Sequence, residues 1–127
     1  MIEFDLPTLM SVAPGDKHEQ FVGHPESYGM LGIYGGHFVG QALAAGFGTV
    51  DEAKLAQSLH AYCLRKGDPD QPIIYEVKRL REGRGSDTRS ISAYQSGLEV
   101  FHMIAAYKLP EEGDNHQKEM PAVISPE

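Results

Sequence analysis

Two periodicities divide the chain. From His37 to Val50 apolar residues recur at helical spacing, Phe38, Ala42 and Ala45 on one row and Val39, Leu43 and Phe47 on another, which predicts an α-helix. The segment is nearly apolar all round, so the helix is expected to be buried. Gly36, Gly40, Ala44 and Gly48 recur every fourth residue and predict a smooth stripe packed closely against a sheet or a second helix. A glycine in a helix costs about 1 kcal/mol of propensity, which close contact must offset.

After Asp51-Glu52-Ala53-Lys54 the period falls to two. Leu59, Ala61 and Cys63 alternate with Ser58, His60 and Tyr62, which suits a strand ending at Arg65-Lys66-Gly67-Asp68-Pro69. Pro72 to Leu80 reads as a second strand with Glu82-Gly83-Arg84-Gly85 as its turn, and Asp87 to Tyr94 as a third. Gln95-Ser96-Gly97 is a short hairpin loop, and Leu98 to Lys108 a fourth strand. Four consecutive strands with short turns predict an antiparallel meander. Upstream, Pro14-Gly15-Asp16-Lys17 signals a turn, Phe21-Val22-Gly23 an extended segment, and the glycine-dense run Gly29 to Gly36 an irregular approach to the helix. One buried helix and a meander able to wrap it define an α+β fold, in outline a hotdog: a curved sheet as the bun, the helix as the filling.

Length and composition fit that picture. The 127 residues suffice for one domain, residues 1–127, with 1–20 and the acidic tail 110–127 peripheral. Apolar residues at 41% and charged residues at 23% support a packed core. The net charge of −7 argues against a general binder of nucleic acid or anionic membranes, but leaves room for a small anion on a local basic patch. No apolar run approaches the roughly 18–20 residues of a membrane span. The acidic start lacks the order of a signal peptide, so a cytoplasmic protein is expected. The lone Cys63 makes no internal disulfide, and the scattered histidines give no metal-ligand spacing. No metal or cofactor is expected.

Candidate chemistry gathers at the helix start. Gly35-Gly36 would let a substrate carbonyl approach backbone N–H donors closely. His37 and Gln41, four residues apart, share a helix face and could hold a water between them, His37 as base and Gln41 as orienter. Ser58, His60 and Tyr62 share one strand face, either the outer side of the sheet or an interface. No serine sits in a Gly-x-Ser-x-Gly turn. Arg65, Lys66, Lys78, Arg79, Arg81, Arg84 and Arg89 form the basic concentration of an acidic chain. They suit a phosphate-bearing ligand, or equally cross-strand pairs with Asp68, Glu76, Glu82 and Asp87.

Gly35-Gly36-His37-Phe38-Val39-Gly40-Gln41-Ala42-Leu43 resembles the Gly-Gly-Gln-x-x-Gly-Gln-Ala-Leu helix start of the acyl-CoA thioesterase II family. Ser58-Leu59-His60-Ala61-Tyr62-Cys63-Leu64-Arg65-Lys66-Gly67-Asp68 resembles its Ser-x-His-x-Tyr-Phe-Leu-Arg-Pro-Gly-Asp. Pro72 to Val77, Leu80 to Gly83 and His116 to Pro121 continue the likeness in order. The resemblance implies a hotdog domain acting on fatty acyl-CoA thioesters. For such a substrate the residues themselves offer His37 and Gln41 as catalytic, Gly35, Gly36 and His60 at the substrate, and Arg81, Arg84 and Arg89 at the coenzyme A phosphates; of the catalytic pair the family motif keeps Gln41. Family members usually join two hotdogs in one chain, and this sequence resembles the first. The family's hydrolytic Asp, Thr and Gln belong to the second, and repeat logic puts Gln41, Ala56 and Lys108 at their positions here. The family's first-helix glutamine is His37, and its Ser-Phe after the Arg-Asp-Gly turn is Gly85-Ser86. Two expectations follow: a thioesterase acting as a homodimer or higher assembly, or a non-catalytic acyl-CoA-binding subunit that needs a partner hotdog.

Overall fold

A computed structural model describes residues 5–27 and 32–126. Residues 1–4, 28–31 and 127 lie outside the described residues, and with them Gly29 to Leu31 of the glycine-dense approach. Strong alternation builds the sheet. Between Ser86 and Gln95 every second residue is buried, beginning with Asp87 and ending with Gln95, the signature of a strand with one face on a core. The elements in chain order are α1 (Leu6–Leu9), β1 (Ala13–Pro14), β2 (Gln20–Gly23), α2 (Gly35–Phe47), β3 (Leu55–Cys63), β4 (Ile73–Glu82), β5 (Ser86–Gln95) and β6 (Leu98–Lys108).

All pairings are antiparallel, in the order β1-β2-β4-β5-β6-β3. The expected meander therefore holds for β4-β5-β6 and fails for β3, which crosses over to pair with β6. The reason lies in the connections. The β5–β6 hairpin closes through Ser96 and Gly97, both at positive φ (49° and 75°), the backbone of a two-residue turn that matches strand twist. Nothing so tight joins β3 to β4: residues 64–72 contain Pro69 and Pro72, and the flank of β4 that a hairpin would use is occupied by β2.

The sheet curls round α2, which buries His37, Phe38, Gln41, Ala42, Ala45 and Gly46. Facing them are Tyr75, Ile91, Ala93, Phe101, Met103, Ala105 and Tyr107. Phe38 stacks on Phe101 at 5.3 Å between ring centroids. At Gly46 a Cβ would stand 1.9 Å from the Tyr107 hydroxyl, so only glycine lets helix and strand approach this closely. Tyr107 donates that hydroxyl to the Leu43 carbonyl at 3.1 Å, and burial pushes its pKa up to about 12. The stripe Gly36, Gly40, Ala44 and Gly48 packs not on the central strands but on the end of α1 and on β2. Met10 lies against Gly40 and Phe21 against Gly48, so the N-terminal segment covers it.

A polar lock ties the far end of the helix to the β4–β5 turn. Lys54 Nζ donates to Asp87 Oδ2 at 2.7 Å and to the Gly83 carbonyl at 2.9 Å, with both side chains buried. Arg89, fully buried, donates to the Thr49 hydroxyl (2.8 Å), the Thr49 carbonyl (2.9 Å) and the Arg81 carbonyl (3.0 Å). Burial raises the Asp87 pKa, but hydrogen bonds from Lys54 and the Gly83 N–H outweigh it and hold the carboxyl below its usual range. Removing one partner of such a pair leaves a buried charge uncompensated. Lys54→Met is expected to destabilise the fold by about 3 kcal/mol, read as a lowered urea midpoint with unchanged slope.

Candidate active site at the helix N-terminus and the open sheet edge

The chain enters α2 extended at Tyr34 (φ −62°, ψ 132°) and turns at Gly35-Gly36. The first N–H groups of a helix have no partner within it and carry the positive end of its dipole. Tyr34 accepts from the His37 N–H at 3.0 Å, which tightens this first turn. The Sγ of Cys63, at the end of β3, lies 3.5 Å from where a Cβ on Gly35 would stand. The helix start thus opens beside the end of β3, an edge strand of the sheet.

His37 is fully buried. Desolvation lowers its pKa, against the opposing pulls of a backbone hydrogen bond at His24 and the charge of Glu26. Burial thus favours the neutral imidazole. Gln41 lies one turn further on the same face, as its spacing requires. Its amide nitrogen donates to the Leu9 carbonyl at 2.8 Å and the His24 carbonyl at 3.1 Å, and its oxygen accepts from the Tyr75 hydroxyl at 3.0 Å. Both amide N–H groups are engaged, and Gly23 packs tightly on the amide oxygen: a Cβ there would stand 2.1 Å from Gln41 Oε1. Gln41 fastens helix, N-terminal segment and β4 together. Sequence reasoning did not find this role, because backbone carbonyls at Leu9 and His24 carry no side-chain signal.

Strand β3 borders the helix start and is the sheet's edge. Apart from Ala61 all its residues are exposed, with Leu55 at 58%, Leu59 at 42% and Tyr62 at 61%. Opposite residues of paired strands share a face. Pairing of Leu59 with Ala105, Ala61 with Met103 and Cys63 with Phe101 puts these three β3 residues on the concave side. Tyr62 opposite His102 and His60 opposite Ile104 lie on the convex side, their rings edge to face at 4.8 Å.

The residues expected at one site fall in three places. Gly35, Gly36, His37 and Gln41 occupy the helix start. His60 lies on the other face of the sheet. Arg81, Arg84 and Arg89 lie at the opposite end of α2, a helix about 20 Å long. Arg81 and Arg84 are exposed there, Arg81 bonding Ser86 Oγ at 3.0 Å. Arg89 is a correction: its donors are taken up inside the fold, so it is part of the lock and cannot reach a phosphate. Cross-strand pairing of the basic stretch is realised in part, Arg89 of β5 with Glu82 of β4, while Arg79 pairs with Glu82 on its own strand and with Glu19 ahead of β2. Among the described residues no cluster of histidine, cysteine and carboxylates could hold a metal ion, and no helix is long and apolar enough to cross a membrane.

A helix wrapped by a curved antiparallel sheet, with a glycine-opened helix start at the edge strand, defines a hotdog domain. Residues 24–107 match the acyl-CoA thioesterase N-terminal domain, and the chain belongs to that family. It is 39% identical over 107 residues to acyl-CoA thioesterase 2 of Haemophilus influenzae, covering 84% of this chain and 37% of that protein. It resembles the solved acyl-CoA thioesterase II TesB2 of Mycobacterium marinum with a TM-score of 0.81 and 31% identity, over 97% of this chain and 45% of that one. A hot dog fold protein from Alicyclobacillus acidocaldarius shares the fold at a TM-score of 0.81 and 18% identity, over 98% of this chain and 47% of that one. The chain thus spans less than half the length of each.

Two measurements check these roles. Gln41→Ala leaves the Tyr75 hydroxyl and two carbonyls without their partner and is expected to lower stability by about 2 kcal/mol. Because the His37 pKa is lowered on folding, protons bind the unfolded chain better. Its contribution is complete above the ordinary imidazole value of 6.5 and is lost as pH falls below it. Between pH 7.5 and 5.5 the urea midpoint should fall less in His37→Gln than in the parent.

Proposed function

We propose that this chain is a hotdog unit of an acyl-CoA thioesterase, complete when a second hotdog is added at the free edge of β3. The observation that carries the reading is the edge itself: nine residues, almost all exposed on both faces, beside a helix start that opens at Gly35-Gly36. A second copy is the simplest occupant, and a partner hotdog chain serves equally. The family membership supports fatty acyl-CoA as the substrate class. An exposed unpaired thiol at Cys63 suits the reducing cytoplasm.

In this reading the thioester carbonyl oxygen sits at the Gly35 and Gly36 N–H groups, where the helix dipole stabilises the developing oxyanion. His37, its neutral form favoured by burial, takes a proton from the attacking water. Gln41 holds the helix start in position rather than orienting the water. Two-fold addition across β3 runs the second strand antiparallel to the first. The β4–β5 turn of the second unit then comes to the same end as this unit's helix start. Arg81 and Arg84 of that second unit are the candidates for the coenzyme A phosphates, which guanidinium forks bind bidentately.

A second reading has its own support. Both N–H groups of Gln41 are engaged, and neither Ala56 nor Lys108 can act as the missing acid. This unit would then bind acyl-CoA while a different partner supplies the hydrolytic groups. The protein should be incubated with acyl-CoAs of varied chain length while free thiol and solution mass are followed. Thiol release by a dimer, lost together with the dimer in Leu59→Lys and at least tenfold reduced in His37→Ala, is the expected result. Acyl-CoA binding by calorimetry without release selects the second reading, and neither binding nor release removes both.

A further inference from the structure

The convex face of the sheet, away from α2, carries an arrangement that the thioesterase reading does not use. A β-bulge creates it. Ala93 pairs with Phe101 but Tyr94 with Glu99, which leaves Val100 as an extra residue in β6. Strict alternation would send Glu99 to the concave side with Phe101. The bulge re-aims it, and Glu99 Oε1 lies 2.7 Å from His102 Nδ1 on the convex side. On the other side of the ring, His102 Nε2 lies 3.1 Å from Ser90 Oγ. A carboxylate can only accept, so Nδ1 carries the proton, and Nε2 of the neutral ring accepts from the Ser90 hydroxyl. Ser92, 3.1 Å from Nδ1, also hydrogen-bonds Glu99. These bonds, that from Ser92 first and that from His102 second, hold the Glu99 carboxyl below its usual range.

We propose that Ser90, His102 and Glu99 form a second, esterolytic site on the convex face, with Ser90 as nucleophile, His102 as base and Glu99 orienting the ring. Serine, histidine and carboxylate in that order of contact are recognised by geometry rather than sequence position, and no nucleophile-elbow motif is needed. The three side chains are half-buried, and Ser90 and His102 open to a hollow of about 590 Å³, lined also by Lys17, Glu76, Lys78 and Tyr94. Lys78 stands opposite Ser90 in the β4–β5 register and lines the same hollow; in this site its ammonium would offset the oxyanion. The hollow is open and is lined mainly by charged and hydroxyl-bearing residues, with about half of the exposed lining surface polar. The substrate class it fits is a carboxylic ester with a short acyl group, not a long fatty chain.

The step balances within these groups. Ser90 Oγ attacks the ester carbonyl as His102 Nε2 removes its proton. The bond to the alkoxide breaks, His102 returns the proton to the leaving oxygen, and acetyl-Ser90 or its analogue remains. Water then attacks the acyl carbon with His102 again as base, releasing the acid and restoring Ser90.

The whole chain should be treated with a fluorophosphonate, mapped by mass spectrometry, and assayed with p-nitrophenyl acetate. A single phosphonyl adduct on Ser90, absent in Ser90→Ala and formed about 100-fold more slowly in His102→Ala, is the expected result. Acetate ester turnover should fall in parallel and decline also in Glu99→Gln. These half-exposed positions leave the core intact, which an unchanged urea midpoint for each variant verifies. No adduct on Ser90, or labelling and turnover indifferent to His102→Ala in folded protein, overturns the proposal. Neither readout involves coenzyme A, so the result stands whatever the outcome at the helix start.

Discussion

A curved sheet can bury only the strands its helix reaches. Helix α2 is thirteen residues long and covers the first half of β4 together with β5 and β6, where the concave residues are buried from Ile73 to Val77, from Asp87 to Gln95 and from Phe101 to Tyr107. It barely reaches β3, which pairs with β6 yet is exposed along its length except at Ala61. Everything notable about the molecule follows from that mismatch between filling and wrapping. The helix start is exposed at the rim instead of sealed inside. The edge strand presents leucine and tyrosine side chains together with unpaired backbone groups. The unit behaves as half of a larger sheet.

Within the wrapped part, polar side chains act as fasteners. Gln41, Tyr75, Tyr107 and Arg89 are all buried, and each meets a backbone or side-chain partner across an element boundary. Bonds of this kind contribute about 1 kcal/mol apiece when made but cost more when a partner is stranded. They favour one packing of the helix over its neighbours, since sliding α2 by a residue would strand several at once. A rigid helix is what a site at its first turn requires, because donors held in place need no reorganisation when charge develops.

Much of this was legible in the order of residues. The period of 3.6 in Phe38, Ala42 and Ala45 marked the helix within three residues of its observed ends, and the period of two marked all four long strands. Strand order was not legible, because alternation reports which face a residue occupies and says nothing about which strand lies beside it. The shared face of His37 and Gln41 followed from spacing alone. The engagement of Gln41 did not, because two of its partners are backbone carbonyls brought in from Leu9 and His24. Arginines that looked alike in sequence divided by depth, Arg89 inside and Arg81 and Arg84 outside. The Glu99–His102 pair depends on a bulge at Val100, a register event that leaves no compositional trace.

The two borders of the sheet are protected very differently. At one, β1 is two residues long and ends in Pro14, a ring with no N–H to offer an incoming strand. At the other, β3 runs Leu-Ala-Gln-Ser-Leu-His-Ala-Tyr-Cys without a single lysine, arginine, aspartate or glutamate. Natural sheets discourage unwanted association with charges or prolines on their borders, and this strand has neither. The same nine residues that equip the unit to be completed therefore make it prone to aggregate whenever its proper neighbour is missing.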